Sequence, residues 1–331
     1  MTDGIYILAN DVVVDQLIAL VNSVRKNSKK NYPICVIPYD DRLQKTRQYV
    51  DSKNNVELLE DESLINRWEK FSTQIWERHP TAIAHWQAKG IEGVNRMGMH
   101  RRFCAFEGPF ERYIYLDADT LAVGDLDNIF KHLDSFDWVV YDFQYKDVSH
   151  VFNIDSPILA KLFSAEQLAS IFCAGMYASK LGLFTQEQLD WLLQELEQEA
   201  DVLYSNGPDQ SIVNYMTLKL DIQICNLSKH LSTDEVTGCC VTSSHFQEMG
   251  DQVLDKGTPL TYLHYIGISS KVFARVCGGE NVDFPYRETF LHYRYLDNPS
   301  ERPALDGELV SLKPVPPSFQ KKVLKKLGLV K

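Results

Sequence analysis

Two carboxylates separated by a single residue follow a short apolar run. Residues 113–116 are Tyr-Ile-Tyr-Leu, and Asp117, Ala118 and Asp119 come next. Because side chains alternate along an extended backbone, the two Asp side chains project to the same side. Two carboxylates so placed repel each other unless a cation or protons neutralise them. Mg²⁺ and Mn²⁺ prefer such oxygen ligands, so the pattern predicts a metal site, with a solvated turn as the alternative.

Four polar or flexible positions in the second half are further candidates. His264 is a candidate for a third metal ligand, although a lone His is more often structural. Gly175 lets a backbone pass close to a ligand, or is an ordinary turn glycine. Asp209 and Gln210 supply an acceptor and an amide near the start of a helix, where capping after Pro208 is the alternative for Asp209.

Cationic side chains near these positions are candidates for contacts with phosphate. Arg102 can fork onto a phosphate or hold a nearby carboxylate, and Arg101 is its rival. Lys271 can meet a diphosphate as a point charge or be a solvated surface lysine.

Short apolar runs alternate with helical patterns through the first 140 residues. Strands are predicted at residues 5–8, 33–38, 56–59, 113–116 and 138–141. This alternation predicts a mainly parallel sheet flanked by helices, in which ligands bind beyond the carboxyl ends of the strands. The turns after Leu8, Leu116 and Tyr141 are therefore the expected places for chemistry. Residues 187–200 and 210–218 are predicted to be helices.

Four segments together resemble a known family. Residues 115–120, Tyr-Leu-Asp-Ala-Asp-Thr, resemble the DxD segment of GT-A glycosyltransferases, closest to family 8, the glycogenin and bacterial lipopolysaccharide galactosyltransferase type. Residues 172–176 resemble its Phe-Asn-Ala-Gly-Val segment and residues 208–211 its Asp-Gln-Asp segment. Residues 264–267, with Lys271 beyond, resemble its HxxGxxK segment. The similarity covers roughly residues 4–271, with the four segments in the family's order.

Three positions depart from the family pattern. Cys173 replaces the family's Asn, and Ser211 replaces the second Asp of Asp-Gln-Asp. Lys271 follows Gly267 by four residues, whereas the family's lysine follows by three. These differences bear on the identity of the donor sugar and on the position of Lys271.

The resemblance implies a GT-A type, Rossmann-like fold and a set of roles. Asp117, Asp119 and His264 would hold Mn²⁺ or Mg²⁺, and Asp209 and Gln210 would flank the reacting sugar as catalytic residues. Asp142 aligns with a carboxylate that touches the donor sugar, with a plain surface Asp as the alternative. The expected donor-binding residues are Leu8, Ala9, Asn10, Arg102, Asp117, Ala118, Asp119, Asp142, Ala174, Gly175, Gly267 and Lys271.

The function implied by the resemblance is transfer of a hexose from a nucleotide-diphosphate sugar, with UDP as the expected nucleotide. The acceptor would be a saccharide, a lipid-linked molecule or a small molecule, and the anomeric configuration would be retained. One alternative is a sugar-nucleotide nucleotidyltransferase, although the turn at residues 9–11 is neither Gly-rich nor basic. The other alternative is a non-catalytic sugar-nucleotide-binding protein.

The amino-acid composition bears on the binding partners of the protein and on its cellular compartment. The 331 residues include 34 Lys and Arg against 45 Asp and Glu, a net charge of −11 that argues against nucleic-acid binding. The seven cysteines form no CxxC, which is typical of free thiols in a reducing compartment. No secretory signal or apolar stretch of about 18 residues is evident. We therefore expect a cytoplasmic protein.

The organisation predicted from the sequence is a catalytic domain at residues 1–270 and a C-terminal extension at residues 271–331. Residues 313–331 carry six lysines and no acidic residue. Such a basic segment, if it forms an amphipathic helix, would contact the anionic inner face of a membrane. The alternative is a frayed tail that docks on the acidic body.

Overall fold

A computed structural model describes residues 2–312 of the chain. The strands are β1 (Asp3–Ala9), β2 (Ile34–Pro38), β3 (Val56–Leu58), β4 (Arg112–Asp117), β5 (Thr120–Ala122), β6 (Trp138–Val140), β7 (Met176–Lys180), β8 (Ile224–Asn226), β9 (Gln247–Met249), β10 (Gln252–Asp255), β11 (Thr258–Pro259), β12 (Tyr262–His264), β13 (Glu280–Asp283) and β14 (Asp306–Ser311). The helices are α1 (Val14–Asn27), α2 (Gln44–Asp51), α3 (Glu62–Arg78), α4 (Ala82–Gln87), α5 (Met97–His100), α6 (Asp127–His132), α7 (Leu159–Leu162), α8 (Ala165–Leu168), α9 (Gln186–Glu199), α10 (Pro208–Lys219), α11 (Leu227–His230), α12 (Ser270–Cys277) and α13 (Arg287–Arg294).

The central sheet contains seven strands in the order β3-β2-β1-β4-β7-β6-β8. Strand β1 runs parallel to β2 and β4, β2 to β3, and β6 to β8. The predicted mainly parallel α/β sheet is thus confirmed, and each of the five predicted strands is present within a residue or two of its predicted bounds.

Strand β7 is the exception to the parallel arrangement. It pairs antiparallel with β4 on one side and with β6 on the other, in the middle of the sheet. A second feature absent from the sequence prediction is a small two-stranded sheet of β5 and β12, which pairs Thr120 with His264. Both features bring distant segments to the carboxyl end of β4.

Alternation along the buried strands divides the core between the two faces of the sheet. In β1, Ile5 and Ile7 face the cluster that contains apolar residues of α1, α2 and α6, whereas Tyr6 and Leu8 face the cluster built with α3, α9 and α10. Because helices cover both faces, β1 and β4 are apolar almost throughout, as expected for parallel strands buried on both sides.

The C-terminal part of the described chain packs directly on the sheet domain. Phe273, Phe290 and Tyr293 share a hydrophobic cluster with Ala19 of α1 and with Leu121 of β5. The boundary predicted at residue 270 therefore falls within a continuous packed body, and the division itself stays a prediction. Every helix in residues 2–312 is too short or too polar to cross a lipid bilayer. The basic segment at residues 313–331 lies outside the described residues.

Candidate functional site

A cavity of about 630 Å³ opens at the carboxyl ends of β1, β2 and β4. The predicted site residues that line it are Leu8, Ala9, Asn10, Arg102, Asp117, Ala118, Asp119, Ala174, Gly175, Asp209, Gln210, His264 and Gly267. Asp142 and Lys271 do not line it. The cavity is where the topology of a mainly parallel sheet directs ligands.

Three side chains converge on the floor of the cavity. Asp117 ends β4, Asp119 follows in the turn into β5, and His264 ends β12. The antiparallel pairing of β5 with β12 brings His264 to this turn, where its Nε2 lies 3.4 Å from Oδ1 of Asp119. One potential ligand atom from each of the three residues lies within 4.8 Å of the others. Two carboxylates and an imidazole fit a hard divalent cation that keeps open positions for phosphate oxygens.

Gly175 has a steric role in this cluster. A Cβ built on Gly175 would lie 2.5 Å from Cε1 of His264, so any larger residue would displace the imidazole. The Gly175 carbonyl also accepts a 2.9 Å hydrogen bond from the Asp117 amide. The glycine is thus required by close packing against a candidate ligand, and its own backbone supports another.

Arg102 lies beneath the cavity and is fully buried. One guanidinium nitrogen contacts both Asp117 (3.0 Å) and Asp209 (3.1 Å), and another donates to the Ala174 carbonyl at 2.6 Å. Of the two roles considered for Arg102, the geometry matches the holding of nearby carboxylates. Its rival Arg101 instead pairs with Glu69.

The cluster is electrostatically polarised. Burial raises the pKa of Asp117, and the neighbouring Asp119 adds to that effect, while Arg102 opposes it. Burial alone would lower the pKa of His264, but the adjacent Asp119 carboxylate reverses the effect and raises that pKa well above its usual value. In Asp119 the sign is opposite, because His264 outweighs burial and lowers the carboxyl pKa. A cation that binds His264 must therefore displace a proton.

Helix α10 positions the two predicted catalytic residues. The helix is preceded by Gly207 and begins at Pro208, and the Asp209 side chain contacts Arg102 and makes no capping hydrogen bond. The amide of Gln210 bridges two loops, since its oxygen accepts from the Ala174 amide (3.0 Å) and its nitrogen donates to the His150 carbonyl (3.0 Å). Both side chains remain at the cavity wall, and their catalytic role stays a prediction.

Asp142 is buried behind the cavity wall. Its carboxylate accepts hydrogen bonds from the backbone amides of Gln144 (2.6 Å) and Cys173 (3.1 Å). Burial raises the pKa of Asp142 to about 7. The Asp142 carboxylate contacts the backbone of Cys173, which lines the cavity, and its contact with the donor sugar stays a prediction.

Lys271 lies in the first turn of α12, exposed to solvent and outside the cavity lining. Gly267 does line the cavity and has a φ of +81°, a conformation that favours glycine. Lys271 thus follows Gly267 by one residue more than in the family pattern, and it lies outside the cavity lining.

Several residues that line the cavity were not predicted from the sequence. Tyr39 and Arg42 follow β2, whose carboxyl end lies beside that of β1, and Arg96 precedes α5. The turn after β2 carried the same topological signal as the turn after β1, and it would have identified Tyr39. Arg96 lies in a segment with no apolar periodicity, so no local signal pointed to it.

Comparison with known proteins gives matches among solved structures. No protein-family model matches the sequence, and no curated protein matches it. Galactosyltransferase LgtC in complex with donor and acceptor sugar analogues matches with a TM-score of 0.53 and 15% identity, covering 97% of this chain and 100% of that one. An active-site mutant of LgtC matches with a TM-score of 0.50 and 14% identity, covering 87% and 100%. Mouse xyloside xylosyltransferase 1 has a TM-score of 0.46 and 10% identity, covering 68% and 85%.

These structural matches define the fold of the chain. The chain has the GT-A glycosyltransferase fold, with the cavity at the strand edge where its acidic pair lies. The expectation of this fold, made from four short segments, is confirmed.

Proposed function

We propose that this protein is a metal-dependent glycosyltransferase that moves a hexose from a nucleotide-diphosphate sugar to an acceptor hydroxyl. The observation that carries the proposal is the convergence of Asp117, Asp119 and His264 on the floor of the cavity in a GT-A fold. A bound Mn²⁺ or Mg²⁺ would act there as a Lewis acid that neutralises the departing nucleoside diphosphate. UDP is the nucleotide that the family resemblance favours.

The cavity offers separate regions for the two ends of the donor. Tyr39, Asn10 and Leu8 lie at the ends of β1 and β2, where apolar and amide groups suit a nucleoside. Arg96 is exposed, lines the cavity, and makes no side-chain ion pair or hydrogen bond with any residue in 2–312. We assign Arg96 to the diphosphate, because Arg102 is already committed to two carboxylates.

The arrangement of carboxylates bears on the stereochemistry. The carboxylates that line the cavity are Asp117, Asp119 and Asp209, of which the first two belong to the metal cluster and the third contacts Arg102. No lining carboxylate is thus left unpaired to act as a nucleophile in the described part of the chain. Together with the retention that the family resemblance implies, this favours front-face attack, in which the C1–phosphate bond breaks, the C1–acceptor bond forms on the same face, and the acceptor proton passes to the departing phosphate.

The proposal is tested by donor hydrolysis and transfer with Mn²⁺ across UDP-, GDP- and ADP-sugars. We expect release of nucleoside diphosphate, whereas pyrophosphate would identify a nucleotidyltransferase. Asp119→Asn and Asp117→Asn should lower turnover by at least about 100-fold, since each replaces an anionic metal ligand by a neutral amide and even outer-shell changes cost about 10–100-fold. Arg96→Gln should raise the donor KM more than it lowers kcat.

Asp125→Asn is the matched control for the two ligand variants. Asp125 lies a few residues further along the same segment and pairs with Lys29 at the surface, so this variant should keep full activity. Unchanged turnover in Asp119→Asn, with wild-type turnover in the control, would contradict a metal role for the cluster.

The acceptor would be a saccharide, a lipid-linked molecule or a small molecule. Contact of residues 313–331 with an anionic membrane also stays a proposal. It would bring the active site to a lipid-linked acceptor if that is the substrate. Co-sedimentation with anionic liposomes tests this contact, with the full chain compared with a chain that ends at residue 312. Equal pelleting of the two chains would contradict membrane contact by residues 313–331.

A further inference from the structure

A second cluster of metal-ligating side chains lies at the opposite end of the sheet order from β3. His132 is the last residue of α6, Cys225 is the middle residue of the edge strand β8, and His230 is the last residue of α11. One ligand atom from each residue lies within 4.8 Å of the others. The two imidazole rings meet edge to face, with centroids 5.2 Å apart. Three separate elements thus converge two nitrogen donors and one sulfur donor on a single point.

The three side chains form a half-open site. Cys225 is buried at 3% exposure, His132 is half-buried and His230 is exposed, so one side of the cluster faces solvent. The ring of Phe136 packs against His230 and partly encloses it. Within residues 2–312, neither imidazole nor the thiol takes part in a hydrogen bond between side chains or with the backbone. Within the described part of the chain, the three donor atoms therefore have no competing hydrogen-bond partner.

The chemistry of the donors separates this cluster from the one at the cavity. It contains no carboxylate, whereas the cavity cluster has two. Neutral imidazole and thiolate suit Zn²⁺, while Mg²⁺ and Mn²⁺ prefer oxygen ligands. Metal–ligand lengths of about 2.0–2.3 Å in a tetrahedron correspond to ligand separations of about 3.3–3.7 Å. The ligand atoms now lie within 4.8 Å of one another. Small rotations of the half-buried His132 and exposed His230 side chains can bring them to the shorter separations of a tetrahedral site.

We propose that His132, Cys225 and His230 form a zinc site with water from the open side as the fourth ligand. On binding, the Cys225 thiol loses its proton to solvent and the thiolate bonds the metal, while both imidazoles bind as neutral bases. The site would join α6 to the edge strand β8 and to α11.

The site would also stabilise a corner that supports Asp142. Between Cys225 and His230, the side chains of Asn226 and Ser228 donate hydrogen bonds of 3.1 and 2.8 Å to the Asp142 carbonyl. Zinc would therefore fix the end of β8 and the start of α11 on both sides of these contacts. The proposal does not depend on the proposed glycosyl transfer.

Cobalt binding to the metal-free full-length protein tests the site, because Co²⁺ replaces Zn²⁺ in such sites and absorbs characteristically when a thiolate is a ligand. We expect a thiolate-to-cobalt charge-transfer band that saturates with one Co²⁺ per chain and is abolished by Zn²⁺. Cys225→Ala should eliminate the band. The exposed His230→Gln variant should weaken the binding that gives the band by more than about 100-fold, since even outer-shell changes cost about 10–100-fold.

Two variants serve as controls. Cys35→Ala removes another buried cysteine and His85→Gln another exposed histidine, and both should keep the band. A band that persists in Cys225→Ala and His230→Gln, or that is absent from the wild type, overturns the proposal. A crystal soaked in Zn²⁺ should show an anomalous peak between the three side chains, and the absence of a peak there would equally reject the site.

Discussion

Two carboxylates share one guanidinium beneath the cavity. Arg102 contacts Asp117 and Asp209 at 3.0 and 3.1 Å and lies over the ring of Tyr115, with 4.9 Å from its Cζ to the ring centroid. One cation thus links the end of β4 to the start of α10. The local charge balance of the site depends on it, because both carboxylates are largely shielded from water.

Replacement of Arg102 should therefore be costly. Arg102→Met leaves the buried Asp209 and the half-buried Asp117 carboxylates without this counter-charge, and we expect a loss of about 3–5 kcal/mol in the free energy of unfolding. Urea unfolding followed by fluorescence measures it. Arg101→Met is the control, with an expected loss of about 1 kcal/mol for a more accessible pair. Equal losses in the two variants would contradict the central position of Arg102.

A second prediction at this scale concerns pH. Burial raises the folded-state pKa of Asp142 to about 7, against about 3.9 in an unfolded chain. The folded state therefore binds this proton more tightly, so the contribution of Asp142 to stability is fully present below about pH 4 and is lost as pH rises through 7. The difference in free energy of unfolding between wild type and Asp142→Asn should fall from pH 4.5 to pH 8. Asp125→Asn should show no such fall, because the pKa of Asp125 is lowered. A constant difference for Asp142→Asn would refute the assignment.

At the scale of elements, the contact between the loop before β7 and the end of β12 assembles the cavity floor. Gly175 directly precedes β7, and His264 ends β12. The close approach of the two requires the absence of a Cβ at residue 175. The geometry of the candidate metal cluster thus depends on the packing of two elements that are remote in sequence.

Gly175→Ala tests this dependence. Its Cβ would meet the His264 ring, which must shift, and we expect Mn²⁺ affinity to fall by about 10–100-fold, as for outer-shell changes at metal sites. Mn²⁺ binding followed by electron paramagnetic resonance measures the affinity. Gly278→Ala is the control, because its Cβ would come no closer than 3.3 Å to any other atom and lies outside the cavity. Wild-type affinity in Gly175→Ala would show that the ring is not held as described.

At the scale of the whole molecule, the segment after residue 270 is part of the packed body. Phe273, Phe284, Phe290 and Tyr293 are buried at 3% exposure or less, and Asn22 of α1 donates a 2.9 Å hydrogen bond to the Tyr293 carbonyl. Such contacts bind the extension to the helix that follows β1. The predicted division at residue 270 would therefore cut a core.

Truncation after residue 270 should prevent stable folding. Loss of a buried aromatic side chain costs about 3–5 kcal/mol, so the loss of four costs about 12–20 kcal/mol, which matches or exceeds the total stability of about 5–15 kcal/mol that a domain has. Calorimetry should show no cooperative transition for that fragment, while the chain that ends at residue 312 should unfold cooperatively. A cooperative transition in the shorter fragment would instead support an independent domain at residues 1–270.

The local parts of the fold and the site were predictable from the sequence. Strands such as β1 and β4 are short apolar runs, and the position of Asp117 beyond such a run placed it at the ligand-binding edge. The same reasoning did not predict Tyr39, which follows β2. It had no basis for predicting Arg96, because the residues around Arg96 show no apolar periodicity. It also left Arg102 with two roles, because the partners of a buried cation come from other elements.

The sequence by itself determined the class of sheet, the acidic pair and the segments that resemble GT-A enzymes, because these depend on residues that are neighbours along the chain. Tertiary structure alone decided the antiparallel entry of β7, the pairing of β5 with β12 that brings His264 to Asp119, and the convergence of His132 with Cys225 and His230. Each of these is a contact between remote segments, and its energy depends on how the whole chain packs.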